Sequence, residues 1–310
     1  MNLFKHLVFA KNFAFDAKRV GVFLVFYALA LLVLGALALS FLTAIGVSLG
    51  SLTGFLTQSF LFDGQRFFKF AGFGLFFLFA FVILALVFFL AFLWLFAGVT
   101  RNAAHLLRGN RVSLSACLSE GLARLPALVV LTILVGLSSW IASLIAQFVL
   151  MFLLVVPVVG LVVYGVLIFL VSIVISLAFL FAQFFLLVRD AGVFESMRES
   201  VRLFARKPGS VLVAFLSYLV VLLAVIIVAS LPLVATFLLA VASLATLASK
   251  IVLFAVLGVI SIAFLLLGFS FTVVFNAGFF SSVLFELSTE RVERVTRIKG
   301  KRLIAGKKKR

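Results

Sequence analysis

His6, His105 and Cys117 are the side chains best suited to hold a metal or to form a nucleophile–base pair. Their placement supports neither use. The two histidines lie in different polar segments, without the close spacing by which zinc ligands recur along a chain. Cys117 is the single cysteine, so it forms no intramolecular disulfide, and no histidine is placed to serve as its base. The phosphate-binding pattern G-x-x-x-x-G-K-[ST] is absent. The nine acidic residues are scattered, whereas an enzyme acting on phospholipid headgroups needs clustered Asp or His. The sequence therefore predicts no enzyme: no catalytic residue, no metal and no cofactor.

A second set of polar residues sits inside long apolar stretches: Gln147, Gln183 and Asn276. The plain expectation for each is an interhelical hydrogen bond, worth about 0.6 kcal/mol on average. The sharper alternative is a polar-lined hollow that receives a substrate. Lys250 separates two apolar runs and reads as an outer loop, with a gate or headgroup contact as its alternative. Gly46, Gly50 and Gly54 form overlapping G-x-x-x-G steps that suit close helix approach or a flexible external loop. Trp94, Trp140 and Tyr218 read as packing or interface anchors.

The elements that carry these residues follow from composition. Hydrophobic residues make up 66% of the 310 positions, charged residues 11%, and mean hydropathy is +1.42. Soluble proteins carry roughly 25% charged residues. So few charges cannot cover so much apolar surface in water, which excludes a soluble domain, a disordered chain and a disulfide scaffold. Asp, Glu, Lys and Arg are missing from 20–62, 70–100, 125–188, 208–249 and 251–285. About 20 apolar residues cross a bilayer as a helix. The third stretch is 64 residues long, with Pro157 and Gly160 near its middle, and reads as a hairpin of 126–153 and 160–187. The fold class is thus all-α: a polytopic bundle of about six transmembrane helices. The stretches 44–62 and 233–249 read as re-entrant, external or helix extensions.

Charge orients the bundle. Segments 1–19, 101–124, 189–207 and 286–310 hold 23 of the 26 Lys and Arg residues, leaving Arg66, Lys69 and Lys250 on the other side. The positive-inside rule then places both termini in the cytoplasm. The first apolar run begins after 19 residues and is far longer than a signal-peptide core, so it is expected to remain as the first span.

Three junctions on that side align without gaps: Ala17-Lys18-Arg19-Val20-Gly21, Ala123-Arg124-Leu125-Pro126-Ala127 and Ala205-Arg206-Lys207-Pro208-Gly209. Each runs from Ala through a basic residue into an apolar helix, with Pro suited to the first turn. Upstream of the second, Leu114, Leu118, Leu122 and Leu125 share a face behind the candidate N-cap Ser113. Upstream of the third, Phe194, Met197, Val201 and Phe204 recur at helical spacing, and Glu195–Arg198 and Glu199–Arg202 can pair. The repeating unit is an interfacial amphipathic helix followed by a transmembrane hairpin. It gives one transmembrane domain over 1–286, with parallel pseudo-repeats at 1–99, 100–188 and 189–286, and a basic tail at 287–310.

Two segments carry a family resemblance. Arg189-Asp190-Ala191-Gly192-Val193-Phe194-Glu195-Ser196-Met197-Arg198-Glu199-Ser200-Val201-Arg202-Leu203 is similar to an acidic-Gly turn followed by an E-A-(hydrophobic)-x-x-S helix, with Ser196 in place of the usual Ala. Val112-Ser113-Leu114-Ser115-Ala116-Cys117-Leu118 resembles the matching segment one hairpin earlier. Together they resemble six-span prokaryotic proteins that include the membrane domain of glycerophosphoryl diester phosphodiesterases. The resemblance implies architecture and a prokaryotic plasma membrane. Its esterase members add a soluble barrel of roughly 240 residues, whereas 24 residues follow position 286 here. The esterase activity is not expected to carry over.

The basic surface completes the functional reading. Lys18, Arg19, Arg124, Arg206 and Lys207 fall at headgroup level, and Arg297, Lys299, Lys301, Arg302, Lys307, Lys308, Lys309 and Arg310 enrich the tail. Such residues attract anionic lipid at about 1 kcal/mol each near the surface, or simply orient the chain. Beyond Gly300 the tail is expected to be disordered until it meets a surface. Ribosomal RNA is a minor alternative partner, because no aromatic residue follows Phe285 to stack on bases. A protein partner could also engage the tail. The expected function is a non-enzymatic membrane scaffold contacting anionic phospholipid. The alternatives are a transporter or lipid-moving protein with a cavity among the hairpins, and a membrane subunit assisting an enzyme or the translocation machinery.

Overall fold

A computed structural model of the chain describes the backbone of residues 3–44, 64–151, 157–242 and 247–307, and the side chains of 3–40, 75–151, 161–236, 238 and 257–287. Among the described residues it is helical apart from short turns, with no strand. The helices are α1 (Leu3–Ala14), α2 (Ala17–Ala44), α3 (Gly64–Leu107), α4 (Leu114–Leu150), α5 (Pro157–Phe179), α6 (Ala182–Arg189), α7 (Val193–Arg206), α8 (Pro208–Ala242) and α9 (Leu247–Lys307). Among the described residues six spans are long and apolar enough to cross a bilayer: 17–40, 75–107, 114–150, 161–189, 208–236 and 257–287. The chain is an integral membrane protein of polytopic helical-bundle architecture. Most of 44–62, including the G-x-x-x-G steps, and the side chain of Lys250 lie outside the described residues.

Where the chain bends follows its local chemistry. Ser113 caps α4, its hydroxyl accepting the Ala116 N–H at 3.3 Å. Pro208 opens α8 in the first turn, where no N–H is needed. One detail differs from the sequence reading. Pro126 stands inside α4 rather than at its start, so the second amphipathic segment is the first turns of the third span and not a separate helix. Pro232 also lies inside α8, so of the readings open for 233–242 the helix extension is the one formed. The tail differs too, because α9 stays helical through Lys307 instead of ending near Gly300.

Packing is concentrated at one end of the bundle. The largest fully buried side chains, among them Phe23, Leu128, Leu131, Phe181, Leu186, Leu187, Phe279, Phe280 and Leu284, define it. All lie within about four helical turns of a junction charge. This end carries α1, α7, the junctions and Glu286, and is called the junction face below. The far halves of the spans leave Leu32, Phe79, Ile133, Phe148, Phe169 and Ile227 exposed, as helices surrounded by lipid do. Among the described residues a seam of small residues continues outward between α8 and α9. There a Cβ on Gly268 would meet the Ala229 methyl at 2.7 Å, and the Thr236 and Ser261 hydroxyls stand 3.3 Å apart.

The most deeply buried positions of the amphipathic segments lie beside their apolar stripes, while Leu114, Leu118, Leu125, Met197 and Phe204 pack partly buried against the core. In α7 the buried residues are Ser196 and Ser200, while Phe194 and Val201 point outward. In α4 the buried stripe is Cys117, Gly121, Leu128 and Leu131 rather than the leucines one position over. Outward-facing apolar residues on α7 suit a helix lying in the headgroup region.

Candidate functional site

The fourth span is broken. Helix α5 ends at Phe179 and α6 starts at Ala182 without a proline or glycine at the break. Ser200 of α7 repairs it: its hydroxyl donates to Ala178 O at 2.7 Å and accepts from Phe181 N–H at 3.2 Å. Two backbone groups freed by the break thus recover partners in a region without water, which is the condition for tolerating such breaks at membrane depth. The serine of the E-x-x-x-x-S pattern is therefore a structural staple.

A cavity of about 250 Å³ opens beside the break, lined by Phe96, Val135, Ser139, Ser176, Phe179, Leu180, Gln183, Phe184 and Asn276. It lies among the second, third, fourth and sixth spans. At about 1.5 Å per residue, Asn276 stands roughly 15 Å above Glu286, near the middle of a ~30 Å hydrocarbon layer. Asn276 Oδ1 is buried without a hydrogen-bond partner. Among the described residues no hydrogen bond reaches the Gln183 or Ser139 side chain either. Ser176 returns its proton to Ser172 O at 2.8 Å and keeps its lone pairs for the cavity.

Two of the three intramembrane amides singled out from sequence thus line one cavity, and the third does not. Gln147 is exposed and donates to Ser143 one turn back in its own helix at 3.4 Å. The interhelical hydrogen bonds expected of Gln183 and Asn276 are not formed, because the cavity stands between the helices that would exchange them.

Below the cavity α6 ends in an ionic hub that sequence reading missed. Asp190 adopts a left-handed conformation with φ 55° and caps α6, its N–H reaching Phe185 O. Its Oδ1 accepts from Arg101 Nη1 and Nη2 at 2.8 Å each and from Arg124 Nη2 at 2.9 Å. Arg101 also donates through Nε to Glu120 Oε2 at 2.9 Å and through Nη1 to Leu187 O at 3.3 Å. His105 Nε2 approaches the same Glu120 oxygen at 3.2 Å, and Arg108 donates to Val188 O. Two orphan carbonyls at the end of α6 are thereby taken up by Arg101 of α3 and by Arg108 just past its end.

A glycine contact sets the spacing of this hub. A Cβ on Gly121 would stand 2.7 Å from Gly98 N, and one on Gly98 would stand 2.5 Å from Leu118 Cδ2. Backbone meets backbone between α3 and α4, so Arg101 and Glu120 are brought into reach. Trp94, one turn above Gly98, donates Nε1–H to Leu118 O at 2.8 Å.

The candidate lipid contacts divide. Lys18 and Arg206 are exposed. Arg19 turns inward, donating to Asn102 Oδ1 at 2.9 Å and to Phe13 O at 3.0 Å, with its guanidinium 4.1 Å from the Phe13 ring centre. Arg124 belongs to the Asp190 hub. Lys207 is partly buried and already has an interaction within the chain. The side chains of Arg297, Lys299, Lys301, Arg302, Lys307, Lys308, Lys309 and Arg310 lie outside the described residues.

His6 fastens α1 to the sixth span. Its Nδ1 lies 3.0 Å from Ser282 Oγ and its Nε2 2.6 Å from Glu286 Oε2, the latter a charge contact not aligned as a hydrogen bond. Burial holds the imidazole pKa below its ordinary 6.5, aided by Lys5 and the N-terminus and opposed by Glu286. A released α1 binds a proton more readily than a docked one, so docking is strongest above that ordinary value and weakens as pH falls through it. Hydrogen exchange over Leu3–Ala14 is expected to quicken between pH 7 and pH 5 beyond the intrinsic trend. His6→Phe should abolish this excess.

The hub and the cavity hold no group of three or more His, Cys, Asp or Glu arranged for a metal among the described residues. Comparisons with protein-family models, with curated proteins and with solved structures each find no match to this chain.

Proposed function

We propose that this chain is a non-enzymatic membrane protein that takes up a ligand from the bilayer and carries it in the cavity beside its broken fourth span. The supporting observation is the pair of carboxamides, Gln183 and Asn276, that line one cavity among the spans, with Asn276 Oδ1 buried and unpartnered. A buried acceptor without a partner costs about 1–3 kcal/mol. In hydrocarbon, where water cannot substitute, polar groups tend to mark a substrate path. Discontinuous helices beside a mid-membrane site are also a recurrent feature of carriers. The basic junctions support an orientation with both termini in the cytoplasm.

The reading is tested by the small molecules that copurify with the chain. Mass spectrometry of extracts should find a species retained by the wild type and depleted at least fivefold in Gln183→Leu plus Asn276→Leu. Matching extracts from both proteins would remove the cavity from the function.

A second reading, membrane organisation through anionic phospholipid, is favoured by exposed Lys18 and Arg206 and by exposed Phe15 and Phe194. Vesicle binding by the full chain that is independent of anionic lipid content would reject it.

A further inference from the structure

We infer that the ligand of this cavity is an uncharged amphiphile, a lipid whose head offers hydroxyl, ester or amide groups without net charge. The inference rests on the carrier reading above and adds the chemical class of what is carried.

Three observations lead to it. First, the polar lining is wholly neutral: two carboxamides and two hydroxyls, from Gln183, Asn276, Ser139 and Ser176. Carboxamides offer donors and acceptors together, so they match a head that also carries both. No Lys, Arg, His, Asp or Glu lines the cavity to compensate a charged head, and an unpaired charge at mid-membrane is expensive.

Second, the remaining walls are Phe96, Phe179, Phe184, Val135 and Leu180, which favour hydrocarbon or an ester rather than a sugar or ion. At about 30 Å³ per water-sized group, a cavity of about 250 Å³ accepts a glycerol-sized head and the first carbons of a chain. The rest of an acyl chain has to lie outside.

Third, the cavity is partly open, and Ser176 in its lining is exposed. The helix that carries Ser176 also exposes Val166, Phe169, Leu170 and Val174. The mouth therefore gives onto bilayer. Toward the junction face the way is filled by Phe185, Leu186, Leu187 and Val188 of α6, all buried. A ligand that enters from hydrocarbon with its tail still in hydrocarbon is a lipid, and the lining makes its head neutral.

The experiment uses the full chain in nanodiscs of zwitterionic lipid. Three photoreactive probes with an alkyne tag are compared: a monoacylglycerol, the phosphate monoester of that same monoacylglycerol, and a short diol without a chain. The expected result is saturable labelling by the monoacylglycerol in peptides spanning 91–100, 133–140 and 174–187, at least fivefold above the phosphate-bearing probe. Gln183→Glu, which adds a charge without removing bulk, should cut that labelling about tenfold. Ser139→Ala, a milder change that leaves the fold intact, should cut it two- to threefold. Equal or stronger labelling by the phosphate probe would overturn the neutral-head inference while leaving a lipid carrier in place. Labelling by the diol alone would overturn the amphiphile and keep the cavity as a site. If no probe labels the cavity, the amphiphile inference falls; the carrier reading falls with it only if the copurification extracts also match.

Discussion

Gly121→Leu is expected to prevent the second and third spans from closing on each other, and the chain should fail to accumulate as a monodisperse species. Even an added Cβ at this position meets Gly98 N at 2.7 Å and Gly98 Cα at 3.0 Å. Backbone cannot swing aside as a flexible side chain can, so the helices must separate. Separation would pull Arg101 from Glu120, now joined at 2.9 Å, and Trp94 from Leu118 O. Gly121→Ala should cost about 1–3 kcal/mol, the usual range for overpacking, and leucine considerably more. Gly136 and Gly165 provide the comparison, since a Cβ at either meets nothing within 4 Å. Alanine there should be neutral, or stabilising by up to about 1 kcal/mol through reduced chain entropy. Thermal unfolding in detergent, followed by size-exclusion chromatography, checks the series. A Gly121→Leu protein as stable as the wild type would show that the two glycines do not set the hairpin.

Arg101→Ala is expected to carry the next largest cost, about 2–3 kcal/mol, because it strips charge-assisted hydrogen bonds from Asp190 and Glu120 and one from the end of α6. Arg101 has only 14% of its side-chain surface exposed, whereas Asp190 keeps 39%, so solvent softens the loss at the carboxylate. Lysine should recover less than half of it, since a point charge cannot reproduce the fork that grips Oδ1 with both Nη atoms. Asp190 allows backbone and charge to be separated. Its φ of 55° is tolerated by Asn and Gly but strained for Ala. Asp190→Asn should therefore lose only the ionic share, and Asp190→Ala should lose more. Equal losses for the two would place the role of Asp190 in its charge alone.

The sequence made the membrane architecture legible because burial in lipid forbids charge over long stretches. The gaps between charged residues located the six spans, Pro157 lay at the predicted hairpin, and Ser113 and Pro208 marked helix starts. The site was legible only in its parts. Gln183 and Asn276 could be named as unusual, but they come from the fourth and sixth spans, and no local pattern says that they share a cavity. Arg101, Glu120 and Asp190 looked like ordinary junction charges, since the contacts joining α3, α4 and α6 depend on three separate turns. The break at Leu180 and Phe181 carried no glycine or proline signal. Its stabilising partner, Ser200, lies in another helix and resembles any other polar residue on an amphipathic face. Periodicity marked the apolar stripe of α7 but gave no sign that Ser196 and Ser200 are its buried residues.

One-sided packing has a consequence for the surrounding membrane. Among the described residues the spans are gripped near the junction face, and outward of it the α8–α9 seam is the tight contact. A bilayer that thickens or thins imposes hydrophobic mismatch, which helices relieve by changing tilt at a modest cost per ångström. Here the loosely neighboured halves can lean or straighten, and the hub and the glycine contact keep their spacing.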